Sequence, residues 1–326
     1  MNSLKETILK HRKITNSSLN VYVKNLDKLS LDITGKKWKN ASFLKNYPII
    51  IKNLEEKSLS TRKNYLSSIL VGLSPKGRGI YKKGYSKIAS QYTIYLKEQG
   101  IIYDKKIMEQ KKSQKESDSW VTMEELKLVR NDYRKSIKKL GYNQKNNILR
   151  KKKHFDLIQK YLVASLYILQ KPRRLEYANM KMINKLEFDK LTDEEKENNN
   201  YLVMGGLLRN KKFFHFGDYK TKKTYGIQTI EINKELNTVL NLWRKINSTE
   251  YLLLDSKRNK LSCNGLTRLL HKTFKPTGKN ISSTMIRHIY LTEKYGDETS
   301  YLEKKKDADE MGHSINEQQK IYVKIN

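Results

Sequence analysis

Residues 311–322 read Met-Gly-His-Ser-Ile-Asn-Glu-Gln-Gln-Lys-Ile-Tyr and lie near the end of this 326-residue chain. The pair Gly312-His313 is predicted to open a helix, and Tyr322 lies nine positions beyond His313. Tyr322 is one of 21 tyrosines, so its identity alone carries little information. Its spacing from a Gly-His pair makes it a candidate reactive side chain, provided that suitable partners occur elsewhere in the chain.

Two upstream segments place arginines in unusual contexts. The most apolar segment, residues 156–170, is predicted to be the central helix of the second half, and Lys-Pro-Arg-Arg-Leu-Glu follows it directly. Arg173 lies three residues before Glu176, so one helical turn would let the carboxylate orient the guanidinium. Arg287 interrupts an otherwise amphipathic helical pattern. Lone arginines usually lie on solvated faces, so arginines in apolar contexts indicate a specific role.

A basic turn connects two predicted strands, residues 212–219 and 225–232. It contains Lys220, Lys222 and Lys223. A hairpin tip of this kind normally keeps the surface soluble. It could equally project one ammonium group onto a phosphate backbone.

Taken in order, the four segments resemble the tyrosine recombinases, the integrase family that shares its catalytic domain with type IB topoisomerases. The family pattern is an arginine with an acidic residue one helical turn later, a hairpin lysine, a His-x-x-Arg box, a Gly-His pair and a tyrosine. The resemblance covers the chain from about Trp120 to the end. The catalytic residues that it implies are Arg173, Lys220, Arg287, His313 and Tyr322. The supporting residues that it implies are Glu176, Thr284 and His288.

The chain departs from the family pattern at one position. The box histidine should lie three residues before Arg287, where this chain has Thr284. A threonine cannot act as an imidazole base, although it can donate a hydrogen bond to a phosphate oxygen. The proton acceptor for Tyr322 is therefore left open among His313, water and the phosphate itself. His288 is disfavoured because one step along a helix turns a side chain by about 100°.

The resemblance implies a transesterification on DNA. The phenolate of Tyr322 would attack a phosphodiester and form a 3′-phosphotyrosyl ester, which a free DNA hydroxyl can later attack to reseal the strand. Arg173 and Arg287 would clamp the non-bridging oxygens, and Lys220 would protonate the leaving 5′ oxygen. The reaction is expected to need no metal, no cofactor and no small-molecule substrate.

The charge balance favours a polyanionic partner, which the resemblance identifies as double-stranded DNA. The chain has 67 Lys and Arg against 34 Asp and Glu, a net charge of +33, and a polyanion would relieve this self-repulsion. The candidate DNA-binding residues are Lys36, Lys37, Lys39, Arg62, Lys63, Lys82, Lys83, Arg174, Lys222 and Lys223. For each of them, a solvated surface charge is the more common explanation.

Composition argues against several other classes. No stretch of about 18 apolar residues occurs, so no membrane partner is expected, and the first residues lack the apolar core of a signal peptide. The expected location is therefore intracellular, wherever the DNA lies: a host nucleus, a cytoplasmic replication site or a bacterial cytoplasm. Cys263 is the only cysteine, which excludes an internal disulfide and a cysteine-clustered zinc site. The abundance of Lys, Asn, Ile and Tyr resembles products of AT-rich genomes, such as large DNA viruses, virophages and related mobile elements.

The pattern along the chain predicts two domains. Residues 1–103 show helical periodicity, with the last helix ending at Gly100, and the resemblance equates this bundle with a core-binding domain. Residues 104–119 are polar and charged and are predicted to be a linker. Residues 120–326 form the predicted catalytic domain.

The predicted fold class is mainly α with a small antiparallel β-sheet. In the second domain, Thr122 and Glu125 fit a capping box that starts a helix. A first strand is expected at residues 201–204, ahead of the two strands that flank the basic turn. Helical periodicity then returns at residues 236–246, 262–274 and 283–295.

Three functions fit these observations. The helical first domain and the late tyrosine favour a site-specific recombinase or integrase. The same chemistry without synapsis would make the protein a type IB topoisomerase, and Thr284 keeps open a catalytically inactive DNA-binding protein of the same fold. Many family members pass a C-terminal segment to a neighbouring subunit, so the resemblance implies a monomer in solution and a tetramer on paired DNA sites.

Overall fold

The computed structural model describes residues 2–77, 79–81, 83–140, 152–205, 212–295 and 301–324. These residues form two compact units, Met1–Glu109 and Gln110–Asn326. Each unit has a buried apolar core of its own. Among the described residues, no helix is long and apolar enough to cross a membrane.

The first unit is helical throughout its secondary structure. Its helices are α1 (Asn2–His11), α2 (Asn16–Thr34), α3 (Tyr47–Glu55), α4 (Leu59–Leu73) and α5 (Ser86–Met108). A 3₁₀ turn over Ala41–Lys45 connects α2 to α3. Leu29 of α2 is fully buried, and so are Leu66 and Ile69, which lie one helical turn apart on α4, and Tyr92 of α5. The helical bundle predicted for this part of the chain is therefore present.

The prediction that the last helix ends at Gly100 is wrong. α5 continues through Gly100 to Met108 and so extends into the predicted linker. A glycine inside a helix costs about 1 kcal/mol relative to alanine, which is not enough to end a helix that has tertiary support. That support comes from α4, because Gln99, next to the glycine, is buried and accepts a hydrogen bond from Arg62 at 2.7 Å.

A further part of the predicted linker is also helical. α6 (Gln114–Asp118) begins at Ser113, whose hydroxyl accepts from the N–H of Glu116 while the Glu116 carboxylate accepts from the N–H of Ser113. The same capping box was predicted at Thr122 and Glu125, and it is confirmed at the start of α7 (Met123–Lys139). The Ser-x-x-Glu pattern at 113–116 was therefore a readable helix signal inside a polar segment.

The second unit contains further helices, and one of them lies at its centre. They are α8 (Lys152–Ile168), α9 (Lys185–Lys190), α10 (Asp193–Asn198), α11 (Lys222–Tyr225), α12 (Lys234–Ile246), α13 (Cys263–Thr273), α14 (Ser283–Lys294), α15 (Tyr301–Met311) and α16 (Ile315–Glu317). A 3₁₀ turn covers Lys275–Thr277, and a π-helical turn covers Gln318–Tyr322. As predicted, α8 is the centre: Leu162, Val163 and Leu166 are fully buried, and α7, α12 and α13 pack against it.

The sheet is mixed, which corrects the prediction of an antiparallel sheet. Its strands are β1 (Lys181–Asn184), β2 (Asn200–Met204), β3 (Phe213–Phe216) and β4 (Gln228–Glu231), in the order β1-β2-β3-β4. β2, β3 and β4 are antiparallel as predicted, whereas β1 runs parallel to β2 with Met182 opposite Leu202. β1 was not among the predicted strands. The mainly helical class with a small sheet is confirmed.

Candidate functional site

The site begins where the buried helix α8 ends. Pro172 follows the helix, and the chain then places Arg173 against the aromatic end of β3. The Arg173 guanidinium lies 3.9 Å from the ring centre of Phe216 and 5.0 Å from that of Tyr219. These rings hold the flat cation in an apolar wall, so Arg173 is only 1% exposed.

Arg173 keeps unused donors in this buried position. Its Nη1 donates to Gln228 Oε1 and to the Glu310 carbonyl oxygen, each at 2.6 Å. Its Nε lies 4.0 Å from Glu176 Oε2, so the predicted partnership is present as a long ion pair. Nε and Nη2 have no hydrogen-bond partner, and burial lowers the pKa of the guanidinium. Such donors carry a desolvation cost that a bound anion would remove.

Arg287 approaches the same place from the first half of α14 and is fully buried. Its Nη1 donates to the carbonyl oxygens of Pro172 and Met311 at 3.0 Å, and its Nη2 lies 2.6 Å from His313 Nδ1. Its Nε has no hydrogen-bond partner. Pro172 directly precedes Arg173 in the chain, and Met311 directly follows Glu310, whose carbonyl oxygen accepts from Arg173. Arg173 and Arg287 therefore meet at the same segment, the C-terminal end of α15.

His313 is a neutral, fully enclosed imidazole. Gly312 before it has a φ of 67°, a left-handed conformation that favours glycine and turns the chain inward after α15. Burial first, and then Arg287 and Arg174, lower the pKa of His313 to about 3. Because Arg287 donates to Nδ1, the proton sits on Nε2, which lies 3.2 Å from Gln318 Oε1. Both ring nitrogens are therefore engaged.

Tyr322 is packed between the two histidines of this region. Its ring centre lies 5.0 Å from each of the His288 and His313 rings and 4.6 Å from the Arg287 guanidinium carbon. Its carbonyl oxygen accepts from His288 Nδ1 at 3.0 Å and from Thr292 Oγ1 at 3.3 Å. The side chain is 5% exposed. His288 and Thr292 thus hold the main chain of the tyrosine rather than its hydroxyl group.

The hydroxyl oxygen of Tyr322 contacts Arg174, which the sequence offered only as a DNA-binding candidate. Arg174 Nη2 lies 3.2 Å from Tyr322 Oη and 2.9 Å from Glu317 Oε1, and Nη1 lies 3.2 Å from the Gly312 carbonyl oxygen. Its side chain is 19% exposed, unlike that of Arg173. Arg173 therefore packs its guanidinium against the rings of Phe216 and Tyr219. The guanidinium of the next residue, Arg174, lies beside the Tyr322 hydroxyl group.

The predicted lysine and threonine lie at the edge of this cluster. Lys220 is exposed in the turn after β3. Its neighbours reach inward, since Tyr219 packs against Arg173 and the Thr221 hydroxyl donates to the Gly312 carbonyl oxygen at 2.6 Å. Thr284 is exposed in the first turn of α14. The structure therefore gathers Arg173, Glu176, Arg287, His288, His313 and Tyr322 closely and leaves these two side chains outside.

The connection between β3 and β4 is not a simple hairpin tip. The short helix α11 occupies it. Lys222 donates to the Glu197 carbonyl oxygen at 2.6 Å and lies 3.4 Å from the Glu197 carboxylate, whereas Lys223 is exposed. Of the three lysines in the turn, Lys220 and Lys223 present their side chains to solvent.

A buried carboxylate anchors the segment that covers the arginines. Asp307 on α15 is 1% exposed and binds Lys171 at 2.8 Å, the hydroxyl of Tyr295 at 2.6 Å, and Lys294. Burial acts against ionisation, but these donors together lower the pKa of Asp307. Asp307 thereby ties α15, and the Glu310 and Met311 carbonyls that follow it, to the loop after α8. No short motif marked this residue.

The basic candidates of the first unit have different surroundings. Lys36, Lys37, Lys39 and Lys83 are exposed, and Lys82 lies outside the described residues. Lys63 lies 4.1 Å from the ring centre of Tyr103. Arg62 donates from its three guanidinium nitrogens to main-chain carbonyls and to Gln99, which gives it a structural role.

The part of the chain that the structure describes holds no cluster of three or more His, Cys, Asp or Glu side chains placed to bind a metal ion. His288 Nε2 and Lys324 Nζ each lie 3.5 Å from Glu116 Oε1. The Glu116 carboxylate on α6 therefore links His288 on α14 to Lys324, which lies two positions after Tyr322.

No known protein-family model and no curated protein sequence matches this chain. Among solved structures, the chain is similar to the crystal structure of XerA recombinase, with 12% sequence identity and a TM-score of 0.39. The match covers 100% of this chain and 94% of that chain. A likeness at this level does not establish a family, so the functional proposal rests on the site.

Proposed function

We propose that this protein is a site-specific DNA recombinase of the tyrosine recombinase type, with Tyr322 as the nucleophile. The observation that carries the proposal is the meeting of two buried arginines, which keep unused N–H donors, with His313 and Tyr322. Fixed donors in a dry site stabilise a pentavalent phosphate, whose non-bridging oxygens gain negative charge during attack. A net charge of +33 supports a polyanionic substrate.

The proposed reaction exchanges one ester for another. The Tyr322 oxygen bonds to the phosphorus while the bond from phosphorus to the 5′ oxygen breaks, which leaves a 3′-phosphotyrosyl ester. The hydroxyl proton of Tyr322 leaves at the start, and the 5′ oxygen gains a proton at the end. Lys220 is the proposed donor of that last proton, because its side chain is exposed beside the cluster.

His313 has a positioning role in this scheme. It is neutral, and its Nδ1 accepts from Arg287 while its Nε2 donates to Gln318. The imidazole therefore fixes the direction of the Arg287 guanidinium. This arrangement orients the cation without adding a positive charge next to it.

Carbonyl groups of the C-terminal segment use one donor of each buried arginine. Arg173 and Arg287 donate to the carbonyls of Glu310 and Met311, and Tyr322 is 5% exposed. A phosphodiester would accept from the donors that remain, Nε and Nη2 of Arg173 and Nε of Arg287. The protein is proposed to be a monomer in solution and a tetramer on paired DNA sites.

A nicked duplex that traps the covalent intermediate tests the nucleophile. Wild-type protein is expected to form an adduct that survives denaturation, and Tyr322→Phe is expected to form none because the attacking oxygen is gone. Tyr251→Phe is the matched control, since Tyr251 lies outside the cluster. Peptide mapping should place the nucleotide on Tyr322; an adduct formed by Tyr322→Phe would refute the assignment.

The same preparation separates the three functions. Exchange between two DNA sites by a tetramer, with light scattering showing a monomer without DNA, is expected for a recombinase. Relaxation of supercoiled plasmid by the monomer without exchange would indicate a topoisomerase. Specific binding without cleavage of any nicked substrate would indicate an inactive DNA-binding protein.

A further inference from the structure

The nucleophilic oxygen has an unexpected partner. Arg174 Nη2 lies 3.2 Å from Tyr322 Oη, and the side chain is held there by Glu317 at 2.9 Å and by the Gly312 carbonyl oxygen at 3.2 Å. An arginine can only donate in such a contact. The phenol oxygen therefore accepts from a cation, and its own proton is directed elsewhere.

The two nearby imidazoles are committed to other groups. His313 accepts from Arg287 and donates to Gln318, while His288 Nδ1 donates to the carbonyl oxygen of Tyr322. Burial lowers the pKa of both rings. Thr284, at the position where the family pattern has an imidazole, is exposed at the start of α14. The proton of Tyr322 must then leave without an imidazole in contact with its oxygen.

We propose that Arg174 is a catalytic residue that stabilises the phenolate of Tyr322 and so replaces an imidazole base. This proposal rests on the proposed function. The Tyr322 proton passes to water or hydroxide, the charge on Oη is balanced by the guanidinium, and Oη then attacks phosphorus. A hydrogen bond from a cation strengthens when its acceptor becomes an anion, so Arg174 favours the ionised tyrosine over the neutral one.

The same contact serves both directions of the reaction. In cleavage the Tyr322 oxygen is the nucleophile, and in resealing it is the leaving group, which departs as a phenolate. A guanidinium beside that oxygen lowers the barrier in both directions. Loss of Arg174 should therefore slow both cleavage and resealing.

Glu317 is the positioning residue for this arginine. It is the last residue of α16 and directly precedes the π-helical turn that ends at Tyr322. Its carboxylate fixes the Nη2 edge of Arg174 that faces Oη. Glu317→Gln keeps a hydrogen-bond acceptor and is expected to lose less activity than Arg174→Gln.

Single-turnover cleavage of a nicked duplex at saturating protein tests the proposal. Arg174→Gln is expected to lower the rate by about 10²–10³ at neutral pH, the usual effect of losing one fixed donor. The loss should shrink as pH rises, because hydroxide then removes the proton unaided. Arg174→Lys should recover part of the rate, since it restores charge without the forked geometry. Arg134→Gln, at an exposed arginine on α7, is the matched control.

Other roles for Arg174 give different results. If it only contacts DNA, Arg174→Gln weakens binding but leaves the saturated rate and its pH profile unchanged, which would overturn the proposal. If it is only structural, the rate falls by the same factor at every pH, which would also overturn it. Absence of an adduct in wild-type protein would instead count against the proposed function.

A measurement without DNA keeps the two failures apart. Replacing Tyr322 with 3-fluorotyrosine gives one fluorine signal that shifts when the phenol ionises. In Arg174→Gln the signal is expected to change at a higher pH than in the wild-type protein, because the phenolate has lost its neighbouring cation. An unchanged midpoint would overturn the inference whether or not the protein cleaves DNA.

Discussion

Arg62 in the first unit and the two buried site arginines of the second unit use their guanidinium groups in opposite ways. In the first unit, Arg62 donates from all three guanidinium nitrogens, at 2.7 to 3.3 Å. Its acceptors are the carbonyl oxygens of Leu54, Glu55 and Lys57 and the side-chain oxygen of Gln99. In the second unit, Nε and Nη2 of Arg173 and Nε of Arg287 have no hydrogen-bond partner.

The difference separates a structural arginine from one that can bind an anion. Arg62 caps the C-terminal end of α3 and joins it to α5, and these contacts use its donors. Buried N–H donors without a partner cost stability, and a negatively charged ligand that accepted from them would recover that cost. The sequence does not distinguish the two kinds of arginine. They differ in how many of their guanidinium nitrogens have a hydrogen-bond partner in the structure.

The largest expected effect is on catalysis in the second unit. Arg287→Gln and Arg173→Gln are each expected to slow covalent adduct formation by about 10²–10³, or about 3–4 kcal/mol of barrier, because each removes a fixed donor to the phosphate. Single-turnover assays at saturating protein measure this loss, with Arg134→Gln as the control. If Arg287→Gln cleaves at the wild-type rate, the unpaired donors have no part in the reaction.

The next effect concerns stability. Here Arg62 of the first unit is expected to contribute more than Arg287 of the second unit. Arg62→Met is expected to lower the free energy of unfolding of the first unit by about 1.5–3 kcal/mol, since hydrogen bonds from a charged donor are lost. Arg287→Met should cost less, about 1 kcal/mol, because Arg287 is fully buried with no hydrogen-bond partner at Nε, so its removal also recovers the desolvation cost of a buried cation.

Urea unfolding followed by tryptophan fluorescence can measure the two units separately in variants that keep a single tryptophan, because the chain has three. Trp38 lies in the core of the first unit and Trp243 in that of the second. A larger loss from Arg287→Met than from Arg62→Met would remove the distinction between the two kinds of arginine.

The smallest effect is a pH dependence confined to the second unit. His313 has a pKa of about 3 in the folded protein against an ordinary value of 6.5, so between these values the unfolded chain binds a proton that the folded chain does not. Stability is therefore expected to fall as pH drops through this range, by about 1–2 kcal/mol between pH 7 and 5. His313→Gln should flatten this slope in unfolding measured through Trp243; an identical slope in that variant would assign the effect to other groups.

Local signals in the sequence were sufficient for much of the fold. The capping box at Thr122 and Glu125 and the apolar run of α8 both predict the observed helices, because capping and burial depend on residues close together in the chain. The parallel strand β1 and the continuation of α5 past Gly100 were missed. Strand pairing and the tertiary support of a glycine depend on residues far away in the chain, which local periodicity does not record.

The sequence by itself determined the ordered set of two arginines, a Gly-His pair and a tyrosine, since spacing and residue type are visible in one chain. Only the tertiary structure decided what each guanidinium does. Arg174 reaches Tyr322 and Arg173 reaches the Glu310 carbonyl across more than one hundred positions of the chain. Whether a donor is satisfied depends on where distant carbonyls and carboxylates come to lie, and that is set by the packing of α8, α14 and α15.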